Sequence, residues 1–261
     1  MGEGTRSPIK DKPLRHPAQS LEEEWRDLWD DKIQTPLLVA LTFAVTAALE
    51  WWRFYAKMPP SPVPFSLAAA GAVSLAVWRV WRLKPRMKAL RQGIQGEKAV
   101  GQFLERLRED GYQVFHDILG PGFNVDHVLI GRTGVFTIET KTWSKPAKGD
   151  ARITFANGRL RAGNHEPDRD PLTQARAQAT WLRNVLAEST GKQFSVMPVI
   201  AFPGWFVEQP TQRLPDIWVL EPKALPAFLE QEPLRLAPPD VKLAGFHLSR
   251  FIRSAERARG Q

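Results

Sequence analysis

The sequence predicts a mixed α/β domain preceded by two long apolar segments. Two strand-like runs, NVDHVLI and GVFTIETK, are joined by Gly131-Arg132-Thr133-Gly134, and a Gly-bounded four-residue connection is typical of a β-hairpin. Amphipathic helical patterns flank this hairpin, and residues 194–202 form a continuous apolar run typical of a strand buried on both faces. Upstream, residues 36–49 and 62–81 are almost uncharged.

The remaining elements follow from local patterns. Val100, Phe103, Leu104 and Leu107 recur at helical spacing, and Asp170-Pro171 is a helix start signal. Asn157-Gly158 predicts a second tight hairpin. The predicted order is therefore a helix over 96–109, a strand over 112–119, the hairpin over 122–141, a hairpin over 152–162, a helix over 170–188, strands over 194–202 and 216–220, and helices over 222–231 and 240–258.

Composition excludes several classes of site. The chain has no cysteine, so disulfides, Cys-ligated zinc, iron–sulfur clusters and thiol nucleophiles are excluded. The net charge of +8 suggests nucleic-acid binding at first sight. Residues 1–88 and residues 89–261 each carry an excess of four cations, however, so the shorter N-terminal part is the more basic per residue. Cations flanking a membrane explain much of this charge.

The apolar segments predict a transmembrane helical hairpin over residues 34–82. Each block spans about 20 residues with its interfacial aromatics, which is enough to cross a bilayer. The alternative is a buried helical hairpin of a soluble protein. Six Lys or Arg precede the first block and six lie in residues 79–91, whereas the connecting turn carries only Arg53 and Lys57. This bias places both termini in the cytoplasm of a two-span membrane protein.

The predicted chain has four parts, of which the transmembrane hairpin is the second. Residues 1–33 form an N-terminal tail, disordered and Pro-rich over 1–20 and with a short amphipathic helix over 21–32. The transmembrane hairpin follows, then a basic linker over 83–93, with Gly93 and Gly96 as weak points for a helix. A soluble domain over 94–261 completes the chain.

Acidic residues interrupt both strands of the central β-hairpin. Asp126 lies in the first strand and Glu139 in the second, at positions that strand propensity disfavours. Lys141 follows Glu139 by two residues, so both side chains emerge from the same face. Two carboxylates and one ammonium can therefore meet at a single point.

These motifs, in this order, resemble the nuclease-related (NERD) domain of the PD-(D/E)xK nuclease superfamily. The resemblance covers about residues 94–202 and depends on Gly96-Glu97, on NVDHV around Asp126, on IETK over 138–141, and on DPLTQ ending at Gln174. It implies a restriction-endonuclease-like αβββαβ core with a mixed central sheet. It also implies a metal-dependent phosphodiesterase that uses Mg²⁺ or Mn²⁺.

The resemblance assigns a role to each residue of the motif. Asp126 and Glu139 would be metal ligands, together with the carbonyl of Thr140. Lys141 would hold or activate the attacking water and offset charge in the transition state. Glu97 would be a further or water-mediated ligand, and Gln174 would orient the water or a phosphate.

Each residue also has a simpler interpretation. Glu139 and Lys141 could form a surface ion pair, Glu97 could be a solvated helix residue, and Gln174 could bond backbone in its own helix. His127 faces away from Asp126 and is left out of the site. The arginines between Arg250 and Arg259 are either a phosphate-contacting patch or a solvated helix end.

The function expected from the sequence is a membrane-anchored, Mg²⁺-dependent nuclease on the cytoplasmic side. DNA is favoured over RNA as its substrate, and its other partner is the lipid bilayer. The alternative keeps the fold but loses catalysis, leaving a membrane-tethered module that binds nucleic acid or protein.

Overall fold

The computed structural model describes residues 14–59, 62–145, 152–156, 159–162, 170–208 and 216–259. The predicted turn at Asn157-Gly158 and residues 1–13 of the predicted tail lie outside these ranges. The chain divides into two compact units, which we treat separately. One comprises Ser20–Gln92, and the other comprises Gly93–Gln261 together with the chain up to Gln19.

The unit over Ser20–Gln92 is helical. It contains α1 (Gln19–Trp29), a π-helical turn (Asp30–Gln34), α2 (Thr35–Tyr55) and most of α3 (Pro62–Glu105). The predicted amphipathic helix therefore continues into α2. Trp51 Nε1 donates to Ser66 Oγ at 2.9 Å, which links α2 to α3. Both helical segments are long and apolar enough to cross a membrane.

Helix α3 does not stop at the predicted weak points, because it runs through both Gly93 and Gly96 to Glu105. Gly96 has a packing role: a Cβ built there would lie 1.8 Å from Thr142 Cγ2. The missing side chain thus lets the end of a strand approach the helix closely. A short 3₁₀ turn (Arg106–Arg108) then leads to the sheet.

The second unit is built on a mixed five-stranded sheet in the order β1-β2-β3-β6-β8. Strands β1 to β3 are antiparallel neighbours, whereas β6 runs parallel to β3 and β8 runs parallel to β6. The strands are β1 (Gln113–Leu119), β2 (Asn124–Gly131), β3 (Gly134–Thr140), β6 (Val196–Ala201) and β8 (Trp218–Leu220). The mixed central sheet is as predicted.

A smaller sheet has the order β5-β4-β7. It consists of β4 (Arg152–Ala156), β5 (Arg159–Ala162) and β7 (Phe206–Val207). Strands β4 and β5 are antiparallel, as the predicted second hairpin requires. Buried Ile153 and Leu160 of this sheet share a cluster with Leu172 and Phe202.

Helices cover both faces of the main sheet. Val128, Ile130 and Val135 share one buried cluster with residues of α4 (Pro171–Thr190) and α6 (Pro238–Arg259). Leu129, Phe136 and Ile138 share another with the end of α3 and with α5 (Leu225–Glu230), which follows a 3₁₀ turn (Pro222–Ala224). Asp170 caps α4 by accepting from Leu172 N (3.0 Å) and Thr173 N (3.3 Å), which confirms the predicted helix start.

Candidate active site

Three neighbouring strands align three carboxylates. His127 pairs with Ile138, so one step further along the β2–β3 register Asp126 lies opposite Glu139. In the β1–β2 register His116 pairs with His127 and Ile118 with Val125, so Asp117, whose φ is 49°, lies beside Asp126. Residues opposite each other in an antiparallel pair project from the same face. The hairpin therefore brings Asp126 and Glu139 together, as the sequence predicts.

Asp126 is half-buried, and the backbone of the neighbouring strand holds its side chain. Asp126 Oδ2 accepts from Thr140 N at 2.7 Å. Burial raises the pKa of Asp126 well above its usual range, and the charges of Glu139 and Glu97 raise it further, while Lys141 opposes them. Asp126 is an acid whose ionisation is resisted by two others.

Glu139 accepts hydrogen bonds from several side chains of the site. It is only 5% exposed, so its ion pair with Lys141 (2.6 Å from Nζ to Oε1) is not a surface pair. Gln174 Nε2 donates to the same oxygen at 2.8 Å, and Lys141 Nζ donates to Gln174 Oε1 at 2.9 Å. Lys141, Glu139 and Gln174 thus form a closed triangle of hydrogen bonds.

Gln178 completes this network, and the sequence analysis missed it. Its Nε2 donates to Glu139 Oε2 (2.6 Å) and to Asn124 O (2.8 Å), while its Oε1 is buried with no hydrogen-bond partner among the described residues. The signal was present, because Gln178 follows Gln174 by four residues and so lies on the same helix face.

Glu97 reaches the site from α3. It is buried, and its Oε1 accepts from Ala18 N at 2.7 Å. Burial raises the pKa of Glu97 to about 8, and the negative charges of Asp117 and Glu139 act in the same direction. Glu97 is therefore not a solvated helix residue, and its carboxyl lies within electrostatic reach of Glu139.

The N-terminal segment contributes a buried cation that the sequence analysis did not identify. Arg15 is 5% exposed, and its Nη2 lies 2.7 Å from Asp117 Oδ2. Its Nη1 pairs with Glu256 of α6. The prediction of a disordered tail over 1–20 is therefore wrong for residues 14–19, because Arg15 and fully buried Ala18 are bonded into this unit.

Two residues near the site have packing roles. His127 is fully buried on the opposite sheet face, where its Nδ1 lies 2.9 Å from His116 Nδ1. Burial lowers the pKa of His127 well below its usual range, so the ring is neutral at pH 7. Trp143 stacks at a tilt on Phe202, with ring centroids 4.8 Å apart.

The donor chemistry fits a hard divalent cation. Mg²⁺ and Mn²⁺ favour carboxylate and carbonyl oxygens, and Asp126, Glu139 and Glu97 supply carboxylates with one ammonium, Lys141, beside them. Burial is the main cause of the raised pKa values of Asp126 and Glu97, and the neighbouring acids raise them further, so a bound cation would offset part of this cost. Within the described ranges, no three His, Asp or Glu side chains already form a metal-holding group.

The candidate site lies in a part of the chain that is similar to a known family. Residues 92–203 match the family model described as the nuclease-related domain, in close agreement with the predicted span of 94–202. The matched region is less than half of the chain. Asp126, Glu139, Lys141, Glu97, Gln174 and Gln178 all lie inside it, whereas Arg15 and Glu256 lie outside.

One known protein matches a short part of the chain. An uncharacterized protein of Bacillus anthracis is 37% identical over 57 residues, which is 20% of this chain and 27% of that protein. The match thus spans about a quarter of the relative's length. No solved structure matches the chain.

The stability of the second unit should fall as pH rises from about 4.5 to about 8. The pKa of Glu97 is about 8 in the folded state against an ordinary value of 4.5, so the folded state holds a proton that the unfolded state has lost. The free energy of unfolding should therefore decrease by up to about 1.4 kcal/mol per pH unit. Urea unfolding without divalent cations measures this slope, and Glu97→Gln should make it less steep, while the raised pKa of Asp126 leaves a smaller slope of the same sign. An equal slope in the variant would contradict the shift.

Proposed function

We propose that this protein is a membrane-anchored, Mg²⁺-dependent nuclease that hydrolyses DNA phosphodiester bonds on the cytoplasmic side. One observation carries the proposal. A buried carboxylate, Glu139, is bonded at once to Lys141 and Gln174, directly across from Asp126 in the strand register. The resemblance predicts this combination for a nuclease site, and the family match covers all four residues.

The metal would be held by Asp126 and Glu139, with the carbonyl of Thr140 as a third ligand. Glu97 would act beside them, directly or through water. A divalent cation bound there would polarise the scissile phosphate and make a bound water more acidic. The protein's part is to keep these oxygens in place. Thr140 N fixes Asp126 at 2.7 Å, and Gln178 Nε2 fixes Glu139 at 2.6 Å.

Lys141 and Gln174 would act on the water and on the phosphate. The water oxygen forms a bond to phosphorus, the ester bond to the leaving oxygen breaks, and a proton passes to that leaving group. Lys141 Nζ, already bonded to Gln174 Oε1 and Glu139 Oε1, would hold the water and offset charge developing on the phosphoryl oxygens. Gln174 would orient the water or the phosphate.

Exposure of the apolar helices supports membrane anchoring. The most apolar stretches of Gln19–Tyr55 and Pro62–Arg108 are only 22% and 11% buried, unlike the core helices of a soluble protein. Leu41, Leu67 and Trp81 are examples, at 59%, 70% and 74% exposed. Such a surface is costly in water and favourable in lipid. We infer two membrane spans, with both termini and the nuclease-related domain in the cytoplasm, from the bias of Lys and Arg.

A non-catalytic binding module on the same fold is the second candidate. What favours it is that Glu139 already has both oxygens engaged by Lys141, Gln174 and Gln178. Calorimetric titration of the full chain with Mg²⁺ or Mn²⁺ separates the two. A nuclease should bind cation and lose that binding in Asp126→Ala. Nucleic-acid binding without any cation site would favour the binding module.

The purified full chain should cut DNA when Mg²⁺ or Mn²⁺ is present and should leave it intact when the cation is chelated. The full chain is the correct material, because α3 is continuous across the boundary at Gln92 and truncation would divide a helix. Circular and linear DNA incubated side by side also distinguish internal cleavage from cleavage at ends. Intact DNA under all cation conditions would contradict the proposal.

A further inference from the structure

A groove on the surface of the second unit lies between the end of α4 and the last turns of α6. It has a volume of about 580 Å³ and is lined by Ser189, His247, Arg250, Arg253, Ser254 and Arg257. Half-buried Phe251 also lines it, and its ring packs on Trp181 with centroids 5.6 Å apart. The α6 part of this arginine groove, which ends the described chain, lies outside the family match at residues 92–203.

The charge of the arginine groove has one sign. Arg250, Arg253 and Arg257 are exposed, and their spacing of three and four residues sets them along one helix face. The two acids of α6 are directed elsewhere. Asp240 accepts from Lys192 Nζ at 2.6 Å, and Glu256 pairs with buried Arg15. No Asp or Glu is among the residues that line the groove.

This arrangement suits a row of phosphates better than a single anion. A guanidinium group binds phosphate oxygens through two parallel hydrogen bonds. The seven-residue span from Arg250 to Arg257 corresponds to about 10 Å along the helix. Successive phosphates of one strand lie about 3.4 Å apart along a duplex, so several would face this row. His247 adds ring nitrogens that can form hydrogen bonds.

Helix α4 connects the arginine groove to the candidate active site. Gln174 and Gln178 stand in its first half, and Ser189 stands near its end. Eleven residues separate Gln178 from Ser189, which is about 16 Å of helix. A ligand that reaches from Gln178 to the Ser189 end of the groove must therefore be a polymer of at least about five nucleotides.

We propose that the arginine groove binds the sugar–phosphate backbone of the nucleic acid whose bond lies at Glu139. The inference rests on the proposed function for its active-site end. It assigns the positive charge of α6 to substrate binding at a distance from the reacting bond, and it makes the affinity depend on substrate length and on salt.

The test measures the affinity of the full chain in maltoside micelles for fluorescent single strands of about four and about 20 nucleotides, over a range of salt concentrations. A chelator prevents cleavage. The variant Arg250→Gln/Arg253→Gln/Arg257→Gln should bind the long strand more weakly. The slope of log K against log salt should fall by about two, because each phosphate contact contributes about 0.7. Affinity for the short strand should not change.

A matched variant, Arg106→Gln/Arg132→Gln/Lys223→Gln, removes three exposed cations outside the groove and should leave the slope for the long strand unchanged. Equal losses in both variants would overturn the proposal, because general charge would then explain the binding. Unchanged binding of the long strand by the groove variant would also overturn it, because the groove would then not contact the nucleic acid. Because binding is measured without cleavage, failure of the proposed hydrolysis would not produce either result.

Discussion

The variant Lys141→Ala should cleave DNA about 10²–10³-fold more slowly than the wild type, since that is the usual effect of removing one donor to the transition state. Lys141 is the cation beside Glu139, with Nζ at 2.6 Å from Oε1, and it also holds Gln174 at 2.9 Å. Alanine removes the group that offsets charge on the phosphoryl oxygens. Single-turnover cleavage at saturating Mg²⁺ measures the effect.

The control for this result is Lys145→Ala. Lys145 is exposed, and its Nζ donates to the carbonyl of Gly204, so its loss should leave the rate close to that of the wild type. Thermal unfolding of both variants shows whether the domain is intact. A folded Lys141→Ala protein that cleaves at the wild-type rate would remove Lys141 from the mechanism.

Replacing Arg15 by alanine should destabilise the second unit by about 3–5 kcal/mol, the usual cost of removing one partner from a buried ion pair. The side chains of Arg15 and Asp117 are 2% and 3% exposed, and Glu256 pairs with the same guanidinium. The variant removes this cation from buried Asp117, which lies beside Asp126 in the strand register. Thermal unfolding followed by near-UV circular dichroism measures the loss.

Arg176→Ala is the matched control, because its pair with Asp216 is exposed, at 41% and 55% for the two side chains. Loss of that pair should cost under about 1 kcal/mol. Similar small losses in both variants would mean that Arg15 does not hold the N-terminal segment in place. A much larger loss for Arg15→Ala would show that residues outside the family match are part of the folded unit.

The central hairpin was predictable because strand patterns are local. The hairpin signals all lie within 20 residues: alternating apolar residues, a Gly-bounded turn, and two acids at positions that strand propensity disfavours. The register of the two strands then brings Asp126 opposite Glu139. Gln178 was predictable in principle, since a four-residue spacing from Gln174 sets both on one face of α4. The N-cap at Asp170 is similarly local.

The contacts of Arg15 could not be predicted from the sequence. Asp117 is 102 residues away along the chain and Glu256 is 241 away, so no local pattern links the three. Composition even indicated disorder for this segment, because its Pro and charged residues resemble those of a flexible tail. The continuity of α3 escaped prediction for a related reason. The contact of Gly96 with Thr142 is tertiary, and glycine propensity alone suggests a break.

The proposed hydrolysis of DNA depends on the carboxylates around Glu139 and on a divalent cation that they hold. The most direct measurement compares wild-type protein with Glu139→Gln, each as the full chain, in single-turnover cleavage with Mg²⁺. Glu188→Gln, an exposed acid on α4, serves as the matched control. We predict that wild type and Glu188→Gln cleave alike, and that Glu139→Gln is slower by about 10³-fold, the equivalent of several kcal/mol of lost stabilisation. Cleavage by folded Glu139→Gln at the wild-type rate would contradict the account.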